Sequence, residues 1–153
     1  MPDLLTHLAS ARVPGAFLRD RRVQALLIFG SFLPDVVSKT LYWAAWTPSD
    51  FLEPLHSPLG LLLLSYAAAL FVEESLRRPA FAALFGGALL HVAVDMLKDN
   101  LGSGSSALFY PFSTREYELG WIDPENVVLL IPLDVAVLAL MAWLERRLGR
   151  VPQ

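Results

Sequence analysis

The stretch His91-Val-Ala-Val-Asp95 lies inside an apolar run that covers residues 79–97. On an α-helix, residues four apart share a face, so the imidazole and the carboxylate point in the same direction. A charged side chain within such a run carries a high desolvation cost unless it is paired, bound to a metal or placed in a wet cavity. The stretch therefore predicts a helix in apolar surroundings that carries a polar functional site.

The composition of the chain favours a membrane protein. Of its 153 residues, 55% are hydrophobic and 18% are charged, and the mean hydropathy is +0.49. Ordinary soluble domains have roughly 45–50% apolar and about 25% charged residues. A net charge of −3 without a long basic run argues against nucleic acid as a partner. The N-terminus shows no pattern of a removable signal peptide.

The absence of cysteine limits the chemistry of any metal site in this chain. It excludes disulfides and thiolate ligands. A bound metal would need nitrogen and oxygen ligands, which suits zinc, manganese, iron or magnesium.

Apolar runs divide the chain into helical segments. Membrane spans need roughly 20 apolar residues, and four runs approach that length: residues 23–46, 57–76, 79–97 and 127–144. A shorter apolar segment ends near Pro14-Gly15, and the long run after it is interrupted at Leu33-Pro34-Asp35. No alternating pattern is long enough for a strand. We expect an all-α fold, a single helical membrane domain of residues 1–153, with four transmembrane helices plus a short N-terminal helix.

Basic residues indicate how these spans are oriented. Three arginine clusters fall on one side of the membrane if the spans alternate in direction: Arg19, Arg21 and Arg22, then Arg77 and Arg78, then Arg146, Arg147 and Arg150. The intervening loops are acidic by comparison. Because positively charged loops stay in the cytoplasm, we expect a multi-pass protein of the inner membrane whose basic loops and C-terminus are cytoplasmic.

Polar residues of the first two segments are expected to lie at one depth. His7 lies fourteen residues before Arg21 and Asp35 fourteen after it. At about 1.5 Å per helical residue, both side chains lie roughly 20 Å from that turn. Asp3, one turn before His7, shares its face.

The later segments bring further polar residues to the same layer. His91 lies thirteen residues beyond Arg78, and Asp95 follows one helical turn later. His56 enters the second span from the opposite side. We therefore expect the three histidines and the deep aspartates to meet around a metal ion in the outer half of the membrane.

Each candidate has a simpler alternative. Asp35 could form a salt bridge with Lys39, four residues further along the chain, and His56 could cap the start of a helix. A histidine such as His7 is often only a core or surface residue. Asp134, inside the last run, could hydrogen-bond a neighbouring helix. Asp99 continues the face of Asp95 and could be a ligand, a base or a solvated loop residue.

The order of these residues resembles the small membrane-bound metal-dependent hydrolases. The residues that carry the resemblance are Thr6-His7, Leu33-Pro34-Asp35, His56-Ser57, the pair His91 and Asp95, and Tyr110-Pro111-Phe112-Ser113. The order of histidines and aspartates is also similar to that of zinc-dependent phospholipase C, a soluble all-helical phosphodiesterase. The resemblance covers roughly residues 2–113.

The resemblance implies a divalent metal, with zinc as the expected ion. The ligands it implies are His7, Asp35, His56, His91 and Asp95, with Asp95 placed to bridge two ions. The chain departs from the family at Val37, where a second aspartate is common, and at residues 53–55, where a His-Arg pair is common. These departures favour a single ion or a degenerate site over a full multi-metal centre.

Together these features predict a metal-dependent hydrolase embedded in the membrane. Its substrate would be a phosphoester or other ester of a lipid or lipid-linked molecule. Asp35 or Asp99 would orient the attacking water or take its proton, and the loop 102–106 could act as a mobile lid. A non-catalytic scaffold or a proton- or ion-handling protein is the alternative, since buried histidine and aspartate chains also relay protons. A soluble helical hydrolase with a very apolar core is a third possibility.

Overall fold

The chain is helical in a computed structural model that describes residues 4–47, 51–99 and 107–147. Within these ranges there are five α-helices and no strand: α1 (Leu4–Gly15), α2 (Arg21–Ala45), α3 (Pro58–Ala69), α4 (Arg77–Met96) and α5 (Leu130–Arg147). The all-α prediction is confirmed. Asp3 and the loop 102–106 lie outside the described residues.

Helix α2 is continuous through the expected interruption. It begins after Asp20, whose side chain accepts a hydrogen bond from the backbone amide of Arg22 at 2.8 Å and so caps the first turn. It ends at Trp46, which adopts a left-handed conformation with φ of 51°. Pro34 lies inside the helix without ending it, so Asp35 is presented from a helix rather than from a break.

Helices α2 and α4 pack with their backbones in close approach. A Cβ added at Gly30 would collide with the carbonyl oxygen of Leu84, and one added at Gly87 would collide with the carbonyl oxygen of Leu27. Small residues at a helix interface allow such an approach. Asp35 and His91 lie about one turn beyond these glycines, so the contact sets their separation.

Helix α3 is shorter than the span predicted for residues 57–76. Its twelve residues cover about 18 Å, because the backbone turns after Ala69 although the sequence stays apolar to Val72. Among the described residues, three helical segments are long and apolar enough to cross a membrane: Arg21–Ala45, Glu74–Met96 and Glu125–Arg147. The membrane bundle thus has three candidate spans and one shorter apolar helix instead of four full spans.

Apolar packing joins α3 to the rest of the bundle. Leu61 packs with Ala88 and Val92 of α4 in a fully buried cluster. A second cluster joins Leu33 of α2 with Ala69 of α3. These contacts place the beginning of α3 beside the second half of α4.

Helix α5 is attached to the bundle through α1. Thr6 donates a hydrogen bond to the buried carboxylate of Asp134 at 2.6 Å, and Arg12 donates to both oxygens of Glu145 at 2.6 Å. The prediction that Asp134 hydrogen-bonds a neighbouring helix is confirmed. Most of the remaining α5 surface is apolar and exposed, as expected of a helix that faces lipid.

Two of the arginine clusters lie at the same end of the bundle. Arg19 and Arg21, in the turn between α1 and α2, line one cleft together with Glu145 near the end of α5. This agrees with the predicted alternation of the spans, although the direction of the bundle across the membrane stays a prediction.

Candidate metal centre

His91 is the central residue of a buried polar cluster. Its side chain is fully buried, and its Nδ1 lies 2.8 Å from the backbone carbonyl oxygen of Ser31 in α2. A carbonyl oxygen can only accept, so Nδ1 carries a hydrogen, and Nε2 is the nitrogen that faces the aspartates. Nε2 lies 3.0 Å from Oδ2 of Asp95, one turn further along α4. This nitrogen and a carboxylate oxygen therefore face each other.

His7 reaches the cluster from α1. Its side chain is 1% exposed and its ring stacks on His91, with 4.1 Å between the centroids. Its Nε2 lies 3.7 Å from Oδ1 of Asp95. The preceding residue is Thr6, whose bond to Asp134 anchors this turn of α1 to α5.

Asp35 reaches the cluster from α2 and uses its two oxygens differently. Oδ2 accepts a hydrogen bond from Nζ of Lys39 at 2.6 Å. Oδ1 lies 3.8 Å from Nε2 of His91 and 3.9 Å from Nε2 of His56. The salt bridge that the sequence offered as an alternative role is present, and the second oxygen still faces the histidines.

His56 lies at the edge of the cluster, on a 3-10 turn (Glu53–His56) before α3. Its ring centroid is 5.6 Å from that of His91, and its side chain is 21% exposed. The alternative that His56 caps α3 is wrong, because Ser57 does so: its hydroxyl accepts from the amide of Gly60 at 3.0 Å. The same hydroxyl donates to the carbonyl oxygen of Pro54 at 2.7 Å, which ties the turn that carries His56 to the start of the helix.

Three of these residues form a group that could hold a metal ion. One ligand atom each from His7, Asp35 and His91 lies within 4.8 Å of the others. In the part of the chain that the structure describes, both ring nitrogens of His7, Nε2 of His91 and Oδ1 of Asp95 are buried without a hydrogen-bond partner. Buried polar atoms without a partner are unfavourable, and a cation bound at their lone pairs satisfies those that can accept. The nitrogen and oxygen donor set fits zinc and other divalent metals.

The protonation state of His7 is compatible with this role. Burial, and to a lesser extent the charges of His91 and Lys98, lower the pKa of His7 from 6.5 to about 4 against the opposing charges of the aspartates. His7 is therefore neutral near pH 7. Neutral imidazole is the form that binds a metal ion.

The residues just beyond α4 pair with a later segment of the chain, residues 119–122. Asp99 has a half-buried side chain, and its amide donates to the carbonyl oxygen of Ile122 at 3.1 Å. The amides of Leu119 and Trp121 donate to the last carbonyl groups of α4 and to Leu97. This loop covers Lys98, whose side chain is 2% exposed.

Sequence reasoning missed two contributors to this region. Ser31 acts through its backbone carbonyl, which no side-chain pattern reveals. Lys98 lies seven residues after His91, and this spacing could have placed it on the same face of the helix.

The motif around Tyr110 forms a turn in which Phe112 is 94% exposed.

Comparisons with known proteins identify a membrane family. A family model described as YdjM inner membrane protein matches residues 1–151. The comparison with curated proteins and the comparison with solved structures gave no match. The matched description names a membrane location and no reaction.

Proposed function

The chain belongs to the YdjM inner membrane protein family, and we propose that it is a metal-dependent hydrolase embedded in that membrane. One observation carries the proposal: His7, Asp35 and His91, from three different helices, bring ligand atoms within 4.8 Å of one another. Both ring nitrogens of His7 and Nε2 of His91 are buried and have no hydrogen-bond partner within the described residues. The resemblance to membrane-bound metal-dependent hydrolases supports the same conclusion.

We assign the ligands by distance. His7, Asp35 and His91 form the primary set, and Asp95 joins it because its oxygens lie 3.0 Å and 3.7 Å from the two buried imidazoles. His56 is a peripheral ligand, since its Nε2 lies 3.9 Å from Oδ1 of Asp35 and its ring centroid lies 5.6 Å from that of the buried His91. With this set the expected ion is zinc.

The reaction is ester hydrolysis by water. The oxygen of water bonds to the phosphorus or acyl carbon, the bond to the leaving oxygen breaks, and a proton of the water ends on the leaving alcohol. When bound, a divalent ion supplies Lewis acidity, which polarises the ester oxygen and lowers the pKa of a water. Asp35 takes the proton in this scheme, and Asp99 is the second candidate for that role.

The substrate we propose is a lipid or a lipid-linked ester. The helices that supply Asp35 and His91 are candidate membrane spans, so the site is reached from within the bilayer or from its surface. The basic end of the bundle, near Arg19 and Arg21, would lie in the cytoplasm and the site in the outer half of the membrane.

Metal analysis of single-residue variants tests the proposal. The protein is purified in detergent without added metal, and bound metals are quantified for wild type, His91→Ala and Asp95→Ala. Ser65→Ala is a matched control, since Ser65 is a buried polar residue of α3. We expect stoichiometric transition metal in wild type and control, and a loss of at least tenfold in affinity in the two variants, since ligand removal has effects of about that size or more. Wild-type metal content in both variants would overturn the proposal.

A proton-handling role is the second candidate, and one observation favours it. Successive distances of 3.9, 3.8, 3.0 and 3.7 Å connect His56, Asp35, His91, Asp95 and His7 into a chain of titratable groups. Such chains relay protons in membrane proteins. Metal-free wild-type protein that carries protons across liposome membranes would support this role, and stoichiometric metal without proton flux would exclude it.

A further inference from the structure

The two lysines of this chain flank the histidine and aspartate cluster. Of the twelve basic residues, ten are arginines, and most of these lie in the predicted cytoplasmic clusters. Lys39 lies one turn beyond Asp35 in α2, and Lys98 lies just beyond the end of α4. Lysine is a flexible point charge that suits the binding of phosphate oxygens.

Lys39 is anchored to the cluster but can still reach a ligand. Its Nζ donates to Oδ2 of Asp35 at 2.6 Å, and its side chain is 39% exposed. An ammonium group has three hydrogens, so Lys39 can keep this bond and donate to a second acceptor. Lys39 therefore has both an anchor in the cluster and an exposed part that a ligand can reach.

Lys98 is the second lysine, and it lies just beyond the end of α4. It follows Asp95 by three residues and His91 by seven, which places all three on one face of the helix and its last turn. Its backbone amide donates to the carbonyl oxygen of Asp95 at 3.2 Å. The side chain is 2% exposed, and its charge acts on His7.

The formal charges of this region favour an anionic substrate. The carboxylates of Asp35, Asp95 and Asp99 carry three negative charges against the two ammonium groups of Lys39 and Lys98, while the histidines are neutral metal ligands. A divalent ion then leaves one excess positive charge in surroundings of low dielectric constant, where it attracts an anion. A phosphate ester supplies negative charge to the site, whereas a carboxylic ester is neutral.

We propose that Lys39 and Lys98 bind the anionic oxygens of a phosphate ester, and that the site selects this substrate class over neutral carboxylic esters. This inference rests on the proposed hydrolase function. The two lysines hold the phosphoryl group while water replaces the leaving alcohol at phosphorus: the new P–O bond forms, the old one breaks, and a water proton ends on the alcohol.

Binding of inorganic phosphate tests the inference without relying on turnover. Zinc-loaded wild type, Lys39→Met and Lys98→Met are titrated with phosphate in detergent by calorimetry. Each variant should weaken phosphate binding about tenfold, because one charge-assisted hydrogen bond is lost. Arg78→Met is the control, since it removes an exposed positive charge from the other end of α4 and should leave affinity unchanged. Lys39→Arg, which keeps the charge, should retain most of the affinity.

Two outcomes would overturn the inference and leave the proposed function intact. In one, zinc-loaded wild type binds no phosphate, or both methionine variants bind it as tightly as Arg78→Met. In the other, wild type hydrolyses p-nitrophenyl butyrate but not bis-p-nitrophenyl phosphate, and the lysine variants do the same. Metal content is measured on the same preparations, so a loss of bound zinc can be distinguished from a loss of phosphate binding.

Discussion

Nδ1 of His91 donates a hydrogen bond to the backbone carbonyl oxygen of Ser31, 2.8 Å away. The bond joins α4 to α2 beside the cluster and fixes both the orientation and the tautomer of the ring. It leaves Nε2 as the nitrogen that can bind a metal. The hydroxyl of Ser31 also lies 3.4 Å from the carbonyl oxygen of His7, so one residue of α2 contacts the backbone or ring of both buried histidines.

We predict that His91 of the zinc-loaded protein carries its hydrogen on Nδ1 and binds the metal through Nε2. Protein labelled with ¹⁵N-histidine gives signals from only three imidazoles, so His91 can be assigned by comparison with the His91→Gln variant. Long-range ¹H–¹⁵N correlation of the zinc-loaded protein should show a hydrogen on Nδ1, and the addition of zinc should shift the Nε2 resonance. A zinc-loaded protein whose His91 carries its hydrogen on Nε2 would contradict this assignment.

The contact between α2 and α4 leads to a prediction for neighbouring glycines. In Gly87→Ala the new methyl group would meet the carbonyl oxygen of Leu27, so the helices must separate. We expect a loss of about 2 kcal/mol or more in unfolding free energy, as is typical of overpacked interfaces, together with weaker metal binding. Gly86→Ala is the matched control, because its methyl would only touch the side chain of Leu27 at 3.5 Å. Denaturant titration in detergent measures the unfolding free energy of both variants. Equal values for Gly87→Ala and Gly86→Ala would contradict the prediction.

The sequence predicts those contacts of the site that are made between side chains at helical spacing, and it misses those made by the backbone. The pair His91 and Asp95 follows from helical spacing, and the salt bridge of Asp35 with Lys39 follows from the same rule. The contact of Ser31 with His91 is made by a backbone atom and leaves no mark in the sequence. The end of α3 at Ala69 was missed because hydropathy reports apolar character and not where the backbone turns.

We predict that Asp134 stabilises the position of His7 although it lies on α5. Asp134→Ala removes the acceptor of the 2.6 Å bond from Thr6 and leaves a partly buried hydroxyl unpaired. We expect a loss of about 1–3 kcal/mol in stability and a lower metal affinity, since His7 is the next residue.

The matched test is a double-mutant cycle with Thr6→Val. Both single variants should be destabilised, and the double variant should lose less than their sum because they share one hydrogen bond. Glu145→Gln, which weakens the more exposed contact with Arg12, should change stability by less than about 1 kcal/mol. Strict additivity of Thr6→Val and Asp134→Ala would show that the bond does not contribute.

The stability of the metal-free protein should fall as the pH falls from 6.5 toward 4. Burial lowers the pKa of His7 to about 4 in the folded protein, whereas the unfolded chain keeps the ordinary value of 6.5. Between these values the unfolded state binds a proton that the folded state does not, so acid favours unfolding. Full stability is present above pH 6.5, and lowering the pH from 7 to 5 should cost about 2 kcal/mol.

Two glutamine variants isolate the contribution of His7. His7→Gln should flatten the dependence of unfolding free energy on pH between 7 and 5. His56→Gln, which replaces the half-exposed histidine at the edge of the cluster, should keep it. If the unfolding free energy of His7→Gln depended on pH as strongly as that of wild type, groups other than His7 would cause the loss of stability in acid.

Metal affinity should fall by different amounts when each histidine is removed. His91 lies within 3.8 Å of both aspartates and belongs with His7 to the group whose ligand atoms lie within 4.8 Å. His56 approaches only Asp35, at 3.9 Å, and its side chain is 21% exposed, so water can replace it as a ligand. We expect His91→Ala and His7→Ala to lose zinc at concentrations where His56→Ala still retains it, with affinities that differ about tenfold or more. Competition with a chelator of known affinity measures the order. If His56→Ala lost zinc first, the ion would lie between His56 and Asp35, nearer the surface than the buried pair of imidazoles.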